Sequence, residues 1–263
     1  MNIRLEGRSA VVTGGAKGIG KGVAMALAEA GAYVIIADVA DEAATETVTR
    51  IQQSGGKADC FHLDVTKVGE VDRVMDEVVR LGGKLDICVH TVGIHVAKSF
   101  LSVGQAEIEK LTTINILGTS NVMRASLSRM IPNKYGKLVV LTSIAARRGC
   151  TDAHYGMTKS AQMHMAWCAA MEVAPYNINV NSIAPGFVYT EMWDTIIDTR
   201  LGEEKKDIPE ERERCWQEAI QESMFKRPQL PEDIANMAVF LCSEQAKEIT
   251  GQCINVCGGS RMN

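Results

Sequence analysis

Ser9-Ala10-Val11-Val12-Thr13-Gly14-Gly15-Ala16-Lys17-Gly18-Ile19-Gly20 is the stretch on which the fold turns. Its first five residues form a short β-branched run without alternation, the pattern of a parallel strand buried on both faces. From Gly18 the spacing becomes helical: Ile19, Val23, Ala26, Leu27 and Ala30 share one face, and Gly31 closes it. Glycines between a strand and a helix permit a tight turn, let a diphosphate approach the backbone, and let the helix pack closely on the sheet. The diphosphate would rest on the unpaired N–H groups at the positive end of the helix. Gly14, Lys17, Gly18, Ile19 and Gly20 are therefore candidate dinucleotide-binding residues.

Outward from this turn the rhythm repeats. A buried strand over residues 32–37 ends at Asp38, and a polar helix over 42–54 stops at Gly55 and Gly56. Strand and helix follow at 58–63 and 68–81, then a strand at 85–90, a helical region at 105–130, a strand at 137–142 and a helix at 153–174. A strand at 178–183, a helix at 231–242 and a strand at 252–256 complete the chain. Strands alternating with helices predict an α/β chain with a doubly wound parallel sheet covered on both faces. No repeat of fixed period and no linker divides residues 1–263, so one domain is expected. Residues 190–225 break the rhythm with a charge cluster, GEEKKDIPEERER. The charges read as a solvated helical face, and the position suits a cover over the ligand site.

Composition removes several classes. The 263 residues carry 28 basic and 32 acidic side chains, a formal charge of −4, so no basic excess is available for nucleic acid. No apolar run approaches the roughly 20 residues that span a bilayer. The opening MNIRLEGRSAVVTGG lacks the features of a secretory signal. Eight scattered cysteines contain no Cys-x-x-Cys pair, and Cys253 with Cys257 cannot complete a zinc site alone. Free thiols, no metal and a cytoplasmic location are the expectation.

Asp38, at the end of the second strand, can accept hydrogen bonds from both hydroxyls of an adenosine ribose. A 2′-phosphate at ~4 Å would meet repulsion on the order of 4 kcal/mol at an effective dielectric near 20. Val39 offers no cation in compensation. Lys17 could reach such a phosphate, but Asp38 favours NAD over NADP. Further along, Tyr155-Gly156-Met157-Thr158-Lys159 sets a phenol and an ammonium four residues apart on one helical face. Ser143 ends the preceding strand, and Asn115 lies in the earlier helical stretch.

With these pieces in order, the chain resembles a classical short-chain dehydrogenase/reductase over nearly its full length. The matching segments are TGGAKGIG at 13–20, Asp38, Leu63-Asp64-Val65, Asn115, Ser143, YGMTK at 155–159, NVNSIAPG at 179–186 and Thr190. The resemblance implies a single Rossmann-type domain with a seven-stranded parallel sheet, and hydride transfer between a nicotinamide and a carbinol carbon. In that mechanism Tyr155 exchanges the proton, and its phenol, with an ordinary pKa of about 10, needs a drop of roughly 3 units to act as a base near neutrality. Lys159 and the oxidised nicotinamide are the nearby cations, and Lys159 also holds the nicotinamide ribose. Ser143 orients the reacting oxygen, and Asn115 positions a water that relays protons from Lys159. The same resemblance implies that Asp64 and Val65 meet the adenine, that Pro185, Gly186, Val188 and Thr190 line the nicotinamide, and that the helices at 105–130 and 153–174 and the last strand assemble a homotetramer. The family's usual Asn-Asn-Ala-Gly is here His90-Thr91-Val92-Gly93, and His90 reads as a core histidine with no cofactor role.

The resemblance implies a small-molecule alcohol or ketone as substrate. His95, Arg147, Arg148, His154, Met192 and Trp193 are the residues available to shape its pocket, and the two arginines could grip an anion if they turn inward. The TEMW stretch at 190–193 and the tail TGQCINVCGG at 250–259 resemble polyol, sugar-alcohol and acetoin-type members. A polyol or vicinal diol is the first expectation. A hydroxysteroid, a 3-oxoacyl substrate and a non-catalytic dinucleotide sensor are the alternatives.

Overall fold

β1 (Ser9–Thr13) is an interior strand, third from one edge, of a seven-stranded, all-parallel sheet in the computed structural model, which describes residues 3–262. The strands are β2 (Tyr33–Asp38), β3 (Lys57–His62), β4 (Ile87–His90), β5 (Gly136–Leu141), β6 (Ile178–Pro185) and β7 (Cys253–Val256), in the order β3-β2-β1-β4-β5-β6-β7. Thr13 pairs with Ala37 of β2 on one side and with His90 of β4 on the other. The chain winds outward from β1 to β3, then returns to lay β4 against β1. A crevice opens at this reversal, beyond the carboxyl ends of the strands, where ligands of open α/β sheets bind.

The sheet is covered on both faces, which explains the unalternating strands. Ala10 and Val12 point into one core, with Val34 and Ile36, under α1 (Gly18–Glu29), α2 (Asp41–Gln53) and α9 (Pro231–Leu241). Val11, Ile35, Cys88, Leu138 and Val180 point into the other, under α3 (Val68–Gly82), α5 (Thr119–Met130) and α6 (Ala153–Val173). All eight cysteines are free thiols. Among the described residues no helix is long and apolar enough to cross a membrane, and no side-chain cluster could hold a metal ion.

Two segments differ from their sequence pattern. Residues 105–130 read as one helix but form α4 (Gln105–Leu111), a π-helical stretch over Thr112–Gly118, and α5. The Asn115 carbonyl there accepts side-chain hydrogen bonds from Thr119 Oγ1 at 2.7 Å and Gln162 Nε2 at 2.8 Å, and such diverted carbonyls accompany a widened helix. Residues 190–225 fold into α7 (Glu191–Leu201) and α8 (Pro209–Ile220), separated at Gly202, whose φ of +71° ends α7. Trp193 and Trp216 meet edge to face at 5.0 Å, Phe187 and Tyr189 extend the aromatic cluster, and Arg212 ties α8 to Asp194 and Asp198 of α7.

The turn after β1 leaves no space for a side chain at Gly14 or Gly20. Gly14 has φ of +75°, and a Cβ on Gly20 would overlap the Gly14 carbonyl oxygen and crowd Thr91 Oγ1. Gly20→Ala should therefore cost about 3 kcal/mol of stability, at the upper end of overpacking effects. Gly69→Ala, on α3 with open space around it, should raise stability by about 0.5 kcal/mol through the unfolded chain. Urea unfolding of both variants checks the pair.

Candidate active site

A cavity of about 510 Å³ lies over the carboxyl ends of the strands. Its floor at one end is the glycine turn: Gly14, Lys17, Gly18, Ile19 and Gly20 all line it. α1 begins at Gly18 with no side-chain cap from Lys17, so its first N–H groups face this space. Asp38 lines the same end and is held by the backbone, its two carboxylate oxygens accepting from Ala16 N and Ala40 N at 3.0 Å each. Lys17 lies beside it, but its ammonium pairs with Glu191 of α7 at 3.0 Å. Asp64 and Val65 form the next part of the wall. Thr66 donates twice to Asp64 Oδ1, and those bonds hold the carboxyl below its usual pKa.

Toward the middle of the cavity stand Ser143, Tyr155 and Lys159. Ser143 follows β5, and its hydroxyl accepts from Ala145 N at 3.1 Å and also hydrogen-bonds the Tyr155 phenol. Tyr155 and Lys159 rise one turn apart on α6, as their spacing predicts, with the ammonium 5.7 Å from the phenol ring centre. Their electrostatics differ from the sequence expectation. Burial pushes Tyr155 up to about 12, partly offset by the Ser143 bond and reinforced by the negative charge of Asp152. Burial also pulls Lys159 down to about 7, and its Nζ donates to the Leu141 carbonyl at 3.1 Å. Lys159 therefore does not by itself acidify the phenol, because desolvation governs both groups.

Asn115 lies in the π-helical stretch. It is fully buried and does not line the cavity. Its side chain bonds the Ile94 N–H and carbonyl at 2.8 and 2.9 Å and Thr158 Oγ1 at 3.0 Å. Its own carbonyl accepts from Thr119 Oγ1 and Gln162 Nε2. Asn115 fastens the segment after β4 to α6.

His90 is a core histidine. It bridges Thr13 Oγ1 at 2.7 Å and Thr119 Oγ1 at 2.9 Å, and burial lowers its pKa to about 3. The bridge runs from the strand that launches the glycine turn to the helix that packs on α6. Thr91 completes the repair of the unusual segment: its hydroxyl donates to the carbonyls of Thr13 and Gly14 at 2.8 and 3.1 Å.

Pro185, Gly186, Val188 and Thr190 line the far end. Thr190 precedes α7 without spending its hydroxyl on a helix cap. Met192 and Trp193 of the cover line the cavity, as does His95. The arginines part company. Arg147 is outside the cavity wall; its guanidinium donates to the Cys253 carbonyl at 2.7 Å and braces β7, so an anion grip by this residue is corrected. Arg148 reaches the wall but pairs with Glu222 at 2.8 Å. His154 stacks on Phe100 away from the cavity. Sequence reasoning missed Asp152, which lines the cavity beside Tyr155, and Arg200, which reaches it from α7. Asp152 precedes Tyr155 by three residues, a spacing that marks a shared helical face only once the helix start is known.

Comparison with known proteins agrees with this geometry. A family model described as enoyl-(acyl carrier protein) reductase matches residues 14–261. The 3-oxoacyl-[acyl-carrier-protein] reductase FabG of Aquifex aeolicus is 33% identical over 261 residues, covering 98% of this chain and 99% of the relative. A sorbitol dehydrogenase of Cereibacter sphaeroides is 34% identical over 263 residues, covering 99% and 100%. Among solved structures, that of levodione reductase superposes with a TM-score of 0.91 at 25% identity, covering 97% of this chain and 98% of that one. The parallel sheet, the glycine turn and these full-length likenesses together place the chain in the short-chain dehydrogenase/reductase family, as an oxidoreductase acting on alcohol or ketone groups.

Proposed function

We propose that the protein interconverts a secondary alcohol and a ketone with NAD(H), on a polyol, a sugar alcohol or a vicinal diol. The observation that carries the reading is the Tyr155 phenol, bonded by Ser143 and flanked by Lys159, in one cavity with the glycine turn and Asp38. The residues present fit a nicotinamide dinucleotide: Gly14 and Gly20 sit where a Cβ would clash, and Asp38 is fixed by two backbone donors. Gly14, Gly18, Ile19 and Gly20 would hold the diphosphate, with Lys17 at its edge. Asp38 would hold the adenosine ribose, Asp64 and Val65 the adenine, and Pro185, Gly186, Val188 and Thr190 the nicotinamide. Tyr155 and Lys159 would reach the nicotinamide ribose. When bound, the cofactor supplies or accepts the hydride.

The chain's own residues move the proton. Ser143 fixes the reacting oxygen against the phenol, so the lone pair that gains or loses the proton faces Tyr155. Burial and Asp152 keep the proton on Tyr155 at neutral pH, which is the form that donates to a ketone oxygen. Oxidation requires the phenolate, and a positive charge added near Lys159 favours it. Lys159, with its pKa near 7, exchanges protons readily at neutral pH. Asn115 acts through position, holding the Ile94 backbone and Thr158 of α6 in register.

NAD is favoured because Asp38 opposes a 2′-phosphate and Lys17, the one cation sequence reasoning set against it, is engaged by Glu191. A hydroxysteroid or 3-oxoacyl substrate fits less well, because the cavity wall beside Tyr155 carries a carboxylate and an imidazole. Free thiols suit a cytoplasmic protein. Apolar side chains exposed at Leu117, Met157 and Met171 suit burial of the π-helical stretch and α6 in a homotetramer.

Three outcomes test the reading. Tyr155→Phe should lower turnover by at least about a thousandfold while NADH still binds by fluorescence titration; an unchanged rate refutes the role of the phenol. The kcat/KM ratio should favour NAD over NADP by at least tenfold, roughly 1.4 kcal/mol, and Val39→Arg should narrow it. Multi-angle light scattering should give the mass of four chains, and a monomer would refute the assembly.

A further inference from the structure

The cavity beside Tyr155 has a built polar corner whose geometry goes beyond the charge that Asp152 presents to the phenol. His95 packs edge to face on the Tyr155 ring, with the ring centres 4.3 Å apart. Its Nε2 lies 3.2 Å from Asp152 Oδ2, and the two side chains are only 8% and 17% exposed. Both line the cavity, whose lining also includes the apolar Ile144, Ile196 and Trp193.

The placement of Asp152 argues that this is more than a structural tie. Asp152 occupies the position just before α6, where an aspartate ordinarily turns its carboxylate onto the helix N–H groups. Here it makes no such cap and directs the carboxylate to His95 and the cavity instead. Its only other side-chain bond is a long one from Thr151 Oγ1 at 3.3 Å. The charged group that faces it from the cover is Arg200, which lies over the Trp193 ring at 5.5 Å and makes no ion pair with it. The carboxylate therefore retains acceptor capacity toward the cavity.

We propose that His95 and Asp152 form a subsite for a second substrate oxygen, so that the enzyme selects alcohols carrying a hydroxyl on the carbon next to the reacting one. This rests on the reaction proposed above and names what that site discriminates. The reacting oxygen sits at Ser143 and Tyr155, and Asp152 precedes Tyr155 by a single helical turn on the same wall. That short reach suits a neighbouring hydroxyl rather than the far end of a long chain. Asp152 accepts a hydrogen bond from that hydroxyl, and His95 holds the carboxylate in place. A site built to hydrogen-bond a hydroxyl discriminates strongly against an analogue that lacks it, because its buried polar groups are left unpaired. Asp152 repels an anionic group at this position, and Arg148 is occupied by Glu222, while Arg200 reaches the cavity from α7.

The test uses the holoenzyme with NAD and two alcohols that differ by one hydroxyl: 2,3-butanediol, as each stereoisomer, and 2-butanol. The wild-type kcat/KM should favour the best diol isomer by about tenfold or more. Asp152→Ala and His95→Ala should each lower that diol-to-monoalcohol ratio by about tenfold, and Asp152→Asn, which keeps an acceptor and the shape, should recover part of it. The ratio is internal to each sample, so a smaller folded fraction does not imitate the effect, and the wild-type ratio decides the matter even where a variant does not fold. A wild-type ratio near one, or a ratio unchanged in Asp152→Ala, overturns the subsite while leaving the phenol chemistry standing. Wild-type failure to oxidise either alcohol, with NADH still bound, overturns the proposed reaction and the subsite together.

Discussion

Everything in this molecule is arranged around the absence of side chains at the carboxyl end of β1. The strand must turn within a few residues, start a helix, and leave the helix N–H groups facing open space. Gly14 supplies the left-handed backbone, and Gly20 lets α1 press against the Gly14 carbonyl. Both demands are steric, and a methyl group is enough to violate the second. The rest of the sheet then holds this end in place: β2 and β4 pair with β1 on either side, and their own ends deliver Asp38 and the His90–Val92 segment to the turn.

The two chemical halves of the cavity are joined beneath its floor by neutral hydrogen bonds. Thr13, at the root of the glycine turn, bonds His90; His90 bonds Thr119; Thr119 and Gln162 meet at the Asn115 carbonyl; and Asn115 reaches Thr158 on the helix that bears Tyr155 and Lys159. A histidine in this chain must stay uncharged, since no acidic partner compensates its burial, and its low pKa satisfies that condition. Such a buried network is valuable only when its members are paired, because an unpaired polar group in the interior is costly.

Much of this was legible in the sequence because it follows from local rules. β1 has the predicted bounds, and the helix from Gly18 differs by one residue at its end. The strand rhythm gave all seven strands, most of them short apolar runs bounded by turns. Electrostatics and commitment of partners were not legible. Sequence spacing placed Tyr155 beside Lys159 but could not say that desolvation would outweigh their mutual charge. Two adjacent arginines looked equivalent, yet Arg147 braces the β7 carbonyl while Arg148 pairs with Glu222, a partner 74 residues away. The π-helical stretch was not legible because Gln162, whose side chain bonds the Asn115 carbonyl within it, lies on another helix.

The ion pair between Lys17 and Glu191 is the seam where the glycine turn meets the cover, and both side chains are more than half exposed. Water and salt weaken such a contact to about 0–1 kcal/mol, a range that includes thermal energy at room temperature. The doorway of the cavity is thus latched too weakly to detain a spent cofactor: ordinary thermal agitation suffices to part the seam, and raising ionic strength loosens it further.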